Sequence, residues 1–330
     1  MNYIGSKVSL LDFLDSCIQE VAGRNNNTLC DLFAGTGIVG RHYKQRGMSI
    51  ISNDIQYYSY ILNKHYIGNC SEIGLKNIFD YLNQIPNVHG FIYNNYSFGG
   101  SGTRMYFSDE NAMRCDAIRT EIEILYKNKK INETEYYFLL ASLIECIDKY
   151  ANTASVYGAY LKQLKKSAQK RFLLLPIDTI PSDLPQFVFN QNANNLIKNI
   201  YADILYLDPP YNERQYASNY HILETIAKYD NPKIQGKTGL REYSEQKSDF
   251  CKKAHVKNAF ADIIKNAKTK YIFLSYNNEG LMTPDDIRDI MKTRGKYGFF
   301  TKTHSRFKAD ANRNYKKNET IEYLHWVKCE

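Results

Sequence analysis

At 330 residues the chain is long enough for one large domain or two, and 43% hydrophobic against 24% charged residues with only 8 prolines is a globular balance, not a fibrous or disordered one. A net charge of +8 suits a polyanionic partner, although excess lysine is often just a solvated surface. Seven cysteines without a CxxC pair and seven scattered histidines without ligand spacing argue against a disulfide framework and against a metal site, and for a reducing cytoplasm.

The opening stretch MNYIGSKVSLLDFLDS has one early lysine, no long apolar run and no small-residue cleavage site. No segment approaches the ~18 apolar residues of a membrane span. Residues 8–22 carry apolar side chains at helical spacing and predict an amphipathic helix. TLCDLF then reads as a buried strand, AGTG as a turn, IVGRHYKQR as a helix and SIISND as a second strand, with a helix through YYSYILNKHYI. This order predicts an α/β fold, a Rossmann-like doubly wound and mostly parallel sheet.

From 72 to 175 the pattern turns helical and polar, broken by the Gly- and aromatic-rich stretch NNYSFGGSGTRMYFSDEN. Strand-like runs return at 187–192, 203–208 and 271–276, a helix follows at 283–294, and YGFFTKT with TIEYLHWV predicts a closing antiparallel pair. A hundred residues between strands is too long for a loop and implies an inserted, substrate-handling domain. The expected division is a catalytic domain of 1–71 and 176–330 around an insertion of 72–175.

Two stretches carry chemistry. DLFAGTGIVG contains G-x-G-x-x-G at Gly35, Gly37 and Gly40, between a predicted strand and helix, and Asp54 ends the next strand, where it can take ribose hydroxyls. The plain alternative is a packing turn with Asp54 as a cap. A carboxylate at Asp31, just before the turn, is poorly matched to a diphosphate and suits a cationic ligand end. S-adenosylmethionine has an ammonium and a sulfonium and no phosphate, and Lys7 is available for its carboxylate.

The other is LYLDPPY, a buried strand stopped on Asp208, Pro209, Pro210 and Tyr211. Prolines bring no N–H, so the strand exit offers acceptors without competing donors. Asp208 and the Pro209 carbonyl can accept the two N–H groups of an exocyclic amine, freeing its lone pair for attack on a methyl group, while Tyr211 stacks on the ring. Asp-Pro is also a common turn, and the tetrapeptide alone leaves both readings open.

YIGSK (3–7), DLFAGTG (31–37), Asp54 and DPPY (208–211), in that order, resemble the alpha-group, Dam-like DNA adenine-N6 methyltransferases. The resemblance implies that Asp31, Phe33, Gly35, Gly37 and Asp54 hold S-adenosylmethionine, with Tyr3 and Lys7 at its methionine end, and Asn192 where the family often has an acid near the cofactor adenine. It implies that Asp208, Pro209, Pro210 and Tyr211 hold the target adenine, that 72–175 is a target-recognition domain, and that the partner is double-stranded DNA, with a cognate restriction endonuclease conceivable. SYNNEG (275–280) is either a further pocket wall or a polar loop.

A duplex hides the adenine amine, so such an enzyme flips the base and needs phosphate clamps. Lys162, Lys165, Lys166 and Lys170 fall at helical spacing on one face, beside Arg171. Arg214 and Tyr216 follow the catalytic turn, and Arg306 and Lys308, with Arg313, Lys316 and Lys317, lie in a basic tail stretch. Arg104, Arg114 or Arg119 would read guanine. The competing readings are an RNA adenine methyltransferase, a methyltransferase for a protein amide, a non-catalytic nucleic-acid-binding module and, most distant, a nicotinamide oxidoreductase.

Overall fold

The computed structural model describes residues 4–305 and 319–330, so Tyr3, Arg306, Lys308, Arg313, Lys316 and Lys317 lie outside the described residues. Seven strands form one sheet: β1 (Thr28–Asp31), β2 (Ser49–Asn53), β3 (Phe187–Phe189), β4 (Tyr201–Leu207), β5 (Lys268–Asn277), β6 (Gly295–Ser305) and β7 (Glu319–Cys329), in the order β3-β2-β1-β4-β5-β7-β6. β1 through β5 pair in parallel, and β7 is antiparallel to both β5 and β6. The expected closing pair is present, but only β7 runs against the sheet, slotted between β5 and β6.

The parallel strands are apolar on both faces because helices cover both, so they read as runs rather than alternations. Every residue of β2 is buried, and in β4 all but Tyr201. On one face α1 (Leu11–Ala22) and α2 (Ile38–Lys44) pack Leu14, Ile18 and Val39 against Leu29, Ile50 and Tyr206. α3 (Tyr57–Asn63) follows β2.

The insertion contains α4 (Lys76–Gln84), α5 (Phe91–Tyr96), α6 (Asp109–Lys127) and α7 (Glu133–Tyr150). Its core is continuous with that of the catalytic half: Leu139, Leu143 and Ile147 cluster with Ile61 and Leu62 of α3 and with Ile222 and Ile226 of α10 (His221–Lys228). α8 (Ala193–Leu196) and α9 (Tyr216–Asn219) are single turns beside the site, and α11 (Val256–Asn266) and α12 (Pro284–Met291) cover the other face of β4 and β5.

One expectation fails here. Residues 162–171 are not helical, so Lys162, Lys165, Lys166 and Lys170 do not share a helix face. Buried asparagines take the backbone groups a helix would have paired. Asn152 bonds Leu161 O and Lys165 N, and Asn111 bonds Ala168 O, Lys170 O and Phe172 N. Side-chain amides that offer the main chain such partners compete directly with an i→i−4 ladder.

Candidate active site

β1 neighbours both β2 and β4, so the direction of strand progression reverses between β1 and β4, and a crevice opens at their carboxyl ends. A cavity of about 590 Å³ fills it, lined by Lys7, Asp31, Phe33, Gly35, Asp54, Asn192, Asp208, Pro210 and Tyr216 among others. Residues far apart in sequence, from both chemical motifs, therefore face one space.

The glycine turn is built on backbone that only glycine adopts without strain. Gly35 and Gly37 have φ of 52° and 77°, and a Cβ on Gly37 would lie 2.6 Å from Asn63 Oδ1. Asn63 on α3 donates to Gly35 O (3.0 Å) and accepts from Ser52 Oγ (2.7 Å), tying turn, strand and helix together. Asp54 accepts from Gly35 N (2.9 Å) and Gln56 N (2.8 Å), so it braces the turn as well as facing the cavity. Burial pushes its carboxyl up to about 6, against the pull of those two N–H groups.

Asp31, 2% exposed, ends β1 with Gly40 N donating to it at 3.3 Å. Burial, with Asp208 adding repulsion, pushes its pKa up to about 8. Asp208 continues from β4; its Oδ1 lies 2.9 Å from Lys7 Nζ, which is also 3.5 Å from Glu322 Oε1 on β7. Ser275 Oγ donates to the same Glu322 oxygen at 2.6 Å. Burial pushes the Asp208 carboxyl up to about 6 even though Lys7 pulls it down. Burial alone would lower the pKa of Lys7, but Asp208 and Glu322 hold the ammonium well above its ordinary value. Asp208 and Glu322 thus share a single ammonium beside the buried Asp31 carboxyl. A diphosphate would worsen that imbalance, whereas a ligand bearing an ammonium and a sulfonium would relieve it. The residues present fit S-adenosylmethionine.

Tyr211 O accepts from Leu281 N at 3.0 Å and its ring meets Tyr276 edge-on at 6.4 Å. Tyr276 of SYNNEG thus packs against Tyr211, but neither Tyr211 nor any residue of 275–280 is among those lining the cavity. At the other side Ile4 is clasped from both ends: its N–H donates to Tyr220 Oη (2.8 Å) and its carbonyl accepts from Tyr216 Oη (3.3 Å). Tyr216, expected to touch nucleic acid, here positions the segment that carries Lys7.

Asn192 lines the cavity, with its side-chain oxygen capping α8 through Asn194 N and Asn195 N. Two features had no motif to announce them. Residues 246–259 wall the cavity, with Phe250 edge-on to Phe33 at 5.0 Å, and Gln215 holds that segment by a reciprocal pair of bonds to Ser248. Glu322 reaches the site from the last strand, where it reads as one polar residue of an alternating pattern.

Of the arginines expected to read bases, Arg114 bonds Phe172 O and Asn83 O, and Arg119 bonds Ile226 O and Ala227 O. Both are at most 3% exposed, so that expectation is overturned for them: they pin the insertion. Arg104 is engaged with Asn95 O, Gly236 O and Lys237 O. Lys165 Nζ donates to Thr153 O, while Lys162, Lys166, Lys170 and Arg214 are exposed. Among the described residues no group of acids, histidines and cysteines could hold a metal ion, and no helix is long and apolar enough to cross a membrane.

Residues 3–290 match the family described as D12 class N6 adenine-specific DNA methyltransferase. The chain is 53% identical to the Type II methyltransferase M.NlaIII of Neisseria lactamica across 98% of both proteins. It is 37% identical to M.CviAII of Paramecium bursaria Chlorella virus 1 over 100% of this chain and 99% of that one. Identity to M.FokI of Planomicrobium okeanokoites is 41%, over 99% of this chain and 52% of that longer protein. An acid-rich crevice shaped for a cationic methyl donor, a DPPY strand exit and full-length kinship coincide: the chain belongs to the D12 class N6 adenine-specific DNA methyltransferases, enzymes of restriction-modification systems that use S-adenosylmethionine.

Proposed function

We propose that the enzyme acts on double-stranded DNA, flips its target adenine out of the helix, and holds the base at Asp208, Pro209, Pro210 and Tyr211. The observation that carries this reading is the position of Asp208: at the end of β4, lining the cavity and paired with Lys7. Bound S-adenosylmethionine supplies an electrophilic methyl group on a sulfonium. The chain supplies orientation. Asp208 and the Pro209 carbonyl accept the two amine N–H groups, drawing the nitrogen toward tetrahedral geometry and aiming its lone pair, and Tyr211 stacks on the ring. Asp31, Phe33, Gly35, Gly37, Asp54 and Asn192 hold the cofactor, with Lys7 serving both ends of the site.

Residues 72–175 act as the target-recognition region, and exposed Lys162, Lys166, Lys170 and Arg214 contact phosphates. Kinship to Type II methyltransferases supports a companion endonuclease that cuts the same, unmodified site. The test is transfer of labelled methyl groups to defined duplexes, with mapping of the modified base. Asp208→Ala should abolish transfer and leave cofactor binding largely intact; full activity in that variant would sink the mechanism.

A further inference from the structure

The segment between α10 and β5 contains a tight turn, Gly236-Lys237-Thr238-Gly239, closed by Gln235 N–H to Leu240 O (2.8 Å) and Leu240 N–H to Gln235 O (2.9 Å). Gly236 and Gly239 have φ of 67° and 72°, which a side-chain-bearing residue adopts only with strain. Each carbonyl of the turn has a protein donor. Arg104 Nη2 reaches Gly236 O at 3.0 Å and Arg104 Nε reaches Lys237 O at 3.1 Å. Tyr106 Oη (3.1 Å) and His221 Nε2 (2.9 Å) meet Thr238 O, and Tyr96 Oη donates to Gly239 O at 2.9 Å.

Three of these partners, Tyr96, Arg104 and Tyr106, belong to the inserted region, and His221 to the catalytic half. A turn so clamped cannot relax its backbone. Its peptides are trans, so a carbonyl turned inward sends the following N–H the other way. The Gly236 and Lys237 carbonyls both point at the Arg104 guanidinium, so the N–H groups of Lys237 and Thr238 are directed away from it, and Lys237 itself is exposed. The turn hides its acceptors and shows donors and a cation, which is the pattern of an anion-binding nest.

Buried side chains tie the turn to the segment that follows the catalytic strand exit. Tyr106 Oη bridges Thr238 O and Tyr157 O, and Tyr157 N–H donates to Asn219 O, three residues beyond Tyr216. The guanidinium end of the exposed Arg214 side chain lies against the adjoining Gly158. Through the buried Tyr106, Tyr157 and Asn219 the turn is coupled to the segment that follows Arg214, and Arg214 and Lys237 are both exposed.

We propose that this turn is a DNA phosphate clamp, with Lys237 as its charge and Arg104 as the positioning residue that fixes its backbone. The inference rests on the reading of the protein as a DNA methyltransferase and adds to its target-recognition surface a segment outside 72–175. It also gives Arg104 a role other than reading a base.

The experiment uses the full chain and a duplex fragment that the wild-type protein methylates, with the dissociation constant measured across a salt series. Lys237→Ala should lower the slope of log K against log salt by about 0.9 in magnitude, the loss of one phosphate contact. Lys237→Arg should restore it, and S-adenosylmethionine affinity should be unchanged in both. A Lys237→Ala slope equal to wild type overturns the clamp, as does an Arg variant that loses as much as the Ala variant. A wild-type protein that methylates no duplex overturns the DNA reading itself, and this proposal with it.

Discussion

Lys7 Nζ lies 2.9 Å from Asp208 Oδ1 and 3.5 Å from Glu322 Oε1, so one buried ammonium joins the residue at the DPPY strand exit to the antiparallel strand behind it. Glu322 touches no expected reacting atom. It acts through Lys7, and its negative charge helps raise the Asp208 pKa. Ionised Asp208 is the stronger acceptor for the amine N–H, so kcat/KM should rise with pH through a midpoint of about 6. Glu322→Gln removes a like charge, which lowers the Asp208 pKa and moves the acid limb to lower pH. Lys7 loses one of its two anchors in the same variant, and kcat should drop about tenfold from misplacement of the pair. An acid limb that stays in place, or moves up, would show that Glu322 is not felt at Asp208.

Asp31 presents a second, separable pH effect. In the ligand-free protein burial holds its pKa at about 8, so it is largely protonated at neutral pH. A cationic ligand end stabilises the ionised form, so binding must expel that proton. Affinity for S-adenosylmethionine should therefore climb as pH rises from 6 toward 8, with proton release visible in calorimetry run in buffers of different ionisation enthalpy. Asp31→Asn should bind more weakly and lose the climb. Pure pH-independence in the wild-type protein would mean that Asp31 is already ionised before the ligand arrives.

Why the sequence disclosed the crevice but not its surroundings follows from what each residue does. Gly35, Gly37, Asp54 and Asp208 sit at strand ends, where a local pattern of strand, turn and helix states their position. Lys7 is brought to Asp208 by a clasp on Ile4 made from Tyr216 and Tyr220, more than two hundred residues away, and no local pattern encodes that. Phe250 and Glu322 are likewise placed only by the closed fold. The lysines at 162, 165, 166 and 170 mislead for the opposite reason. Their spacing is helical, yet Asn111 and Asn152 capture the backbone there, and such tertiary capture overrides local periodicity. Arg114 and Arg119 could not be told from exposed arginines until their carbonyl partners were seen.

Gly37→Ala tests the cofactor turn. The added methyl would sit 2.6 Å from Asn63 Oδ1 on a backbone with φ of 77°, so strain and overlap both act. The left-handed conformation alone costs a non-glycine residue about 1–2 kcal/mol. The melting temperature should fall, and S-adenosylmethionine affinity should fall further than stability explains, because Asn63 also holds Gly35 O. A variant with wild-type affinity would mean that the turn does not contact the ligand closely.

Tyr220→Phe isolates the clasp on the N-terminal segment. The ring and its packing remain, but the Ile4 N–H loses an acceptor at 2.8 Å. Leaving a part-buried donor unpaired costs about 1–3 kcal/mol. Most of that should appear as loosening of residues 4–7, seen as faster amide exchange there. Looser placement of Lys7 should lower kcat several-fold while DNA affinity and its salt dependence hold. Tyr216→Phe should do the same more weakly, because its bond to Ile4 O is longer at 3.3 Å and a carbonyl at the cavity edge can turn to water. If Tyr220→Phe instead weakens DNA binding with kcat intact, Tyr220 serves the nucleic-acid surface, and the placement of Lys7 needs no clasp.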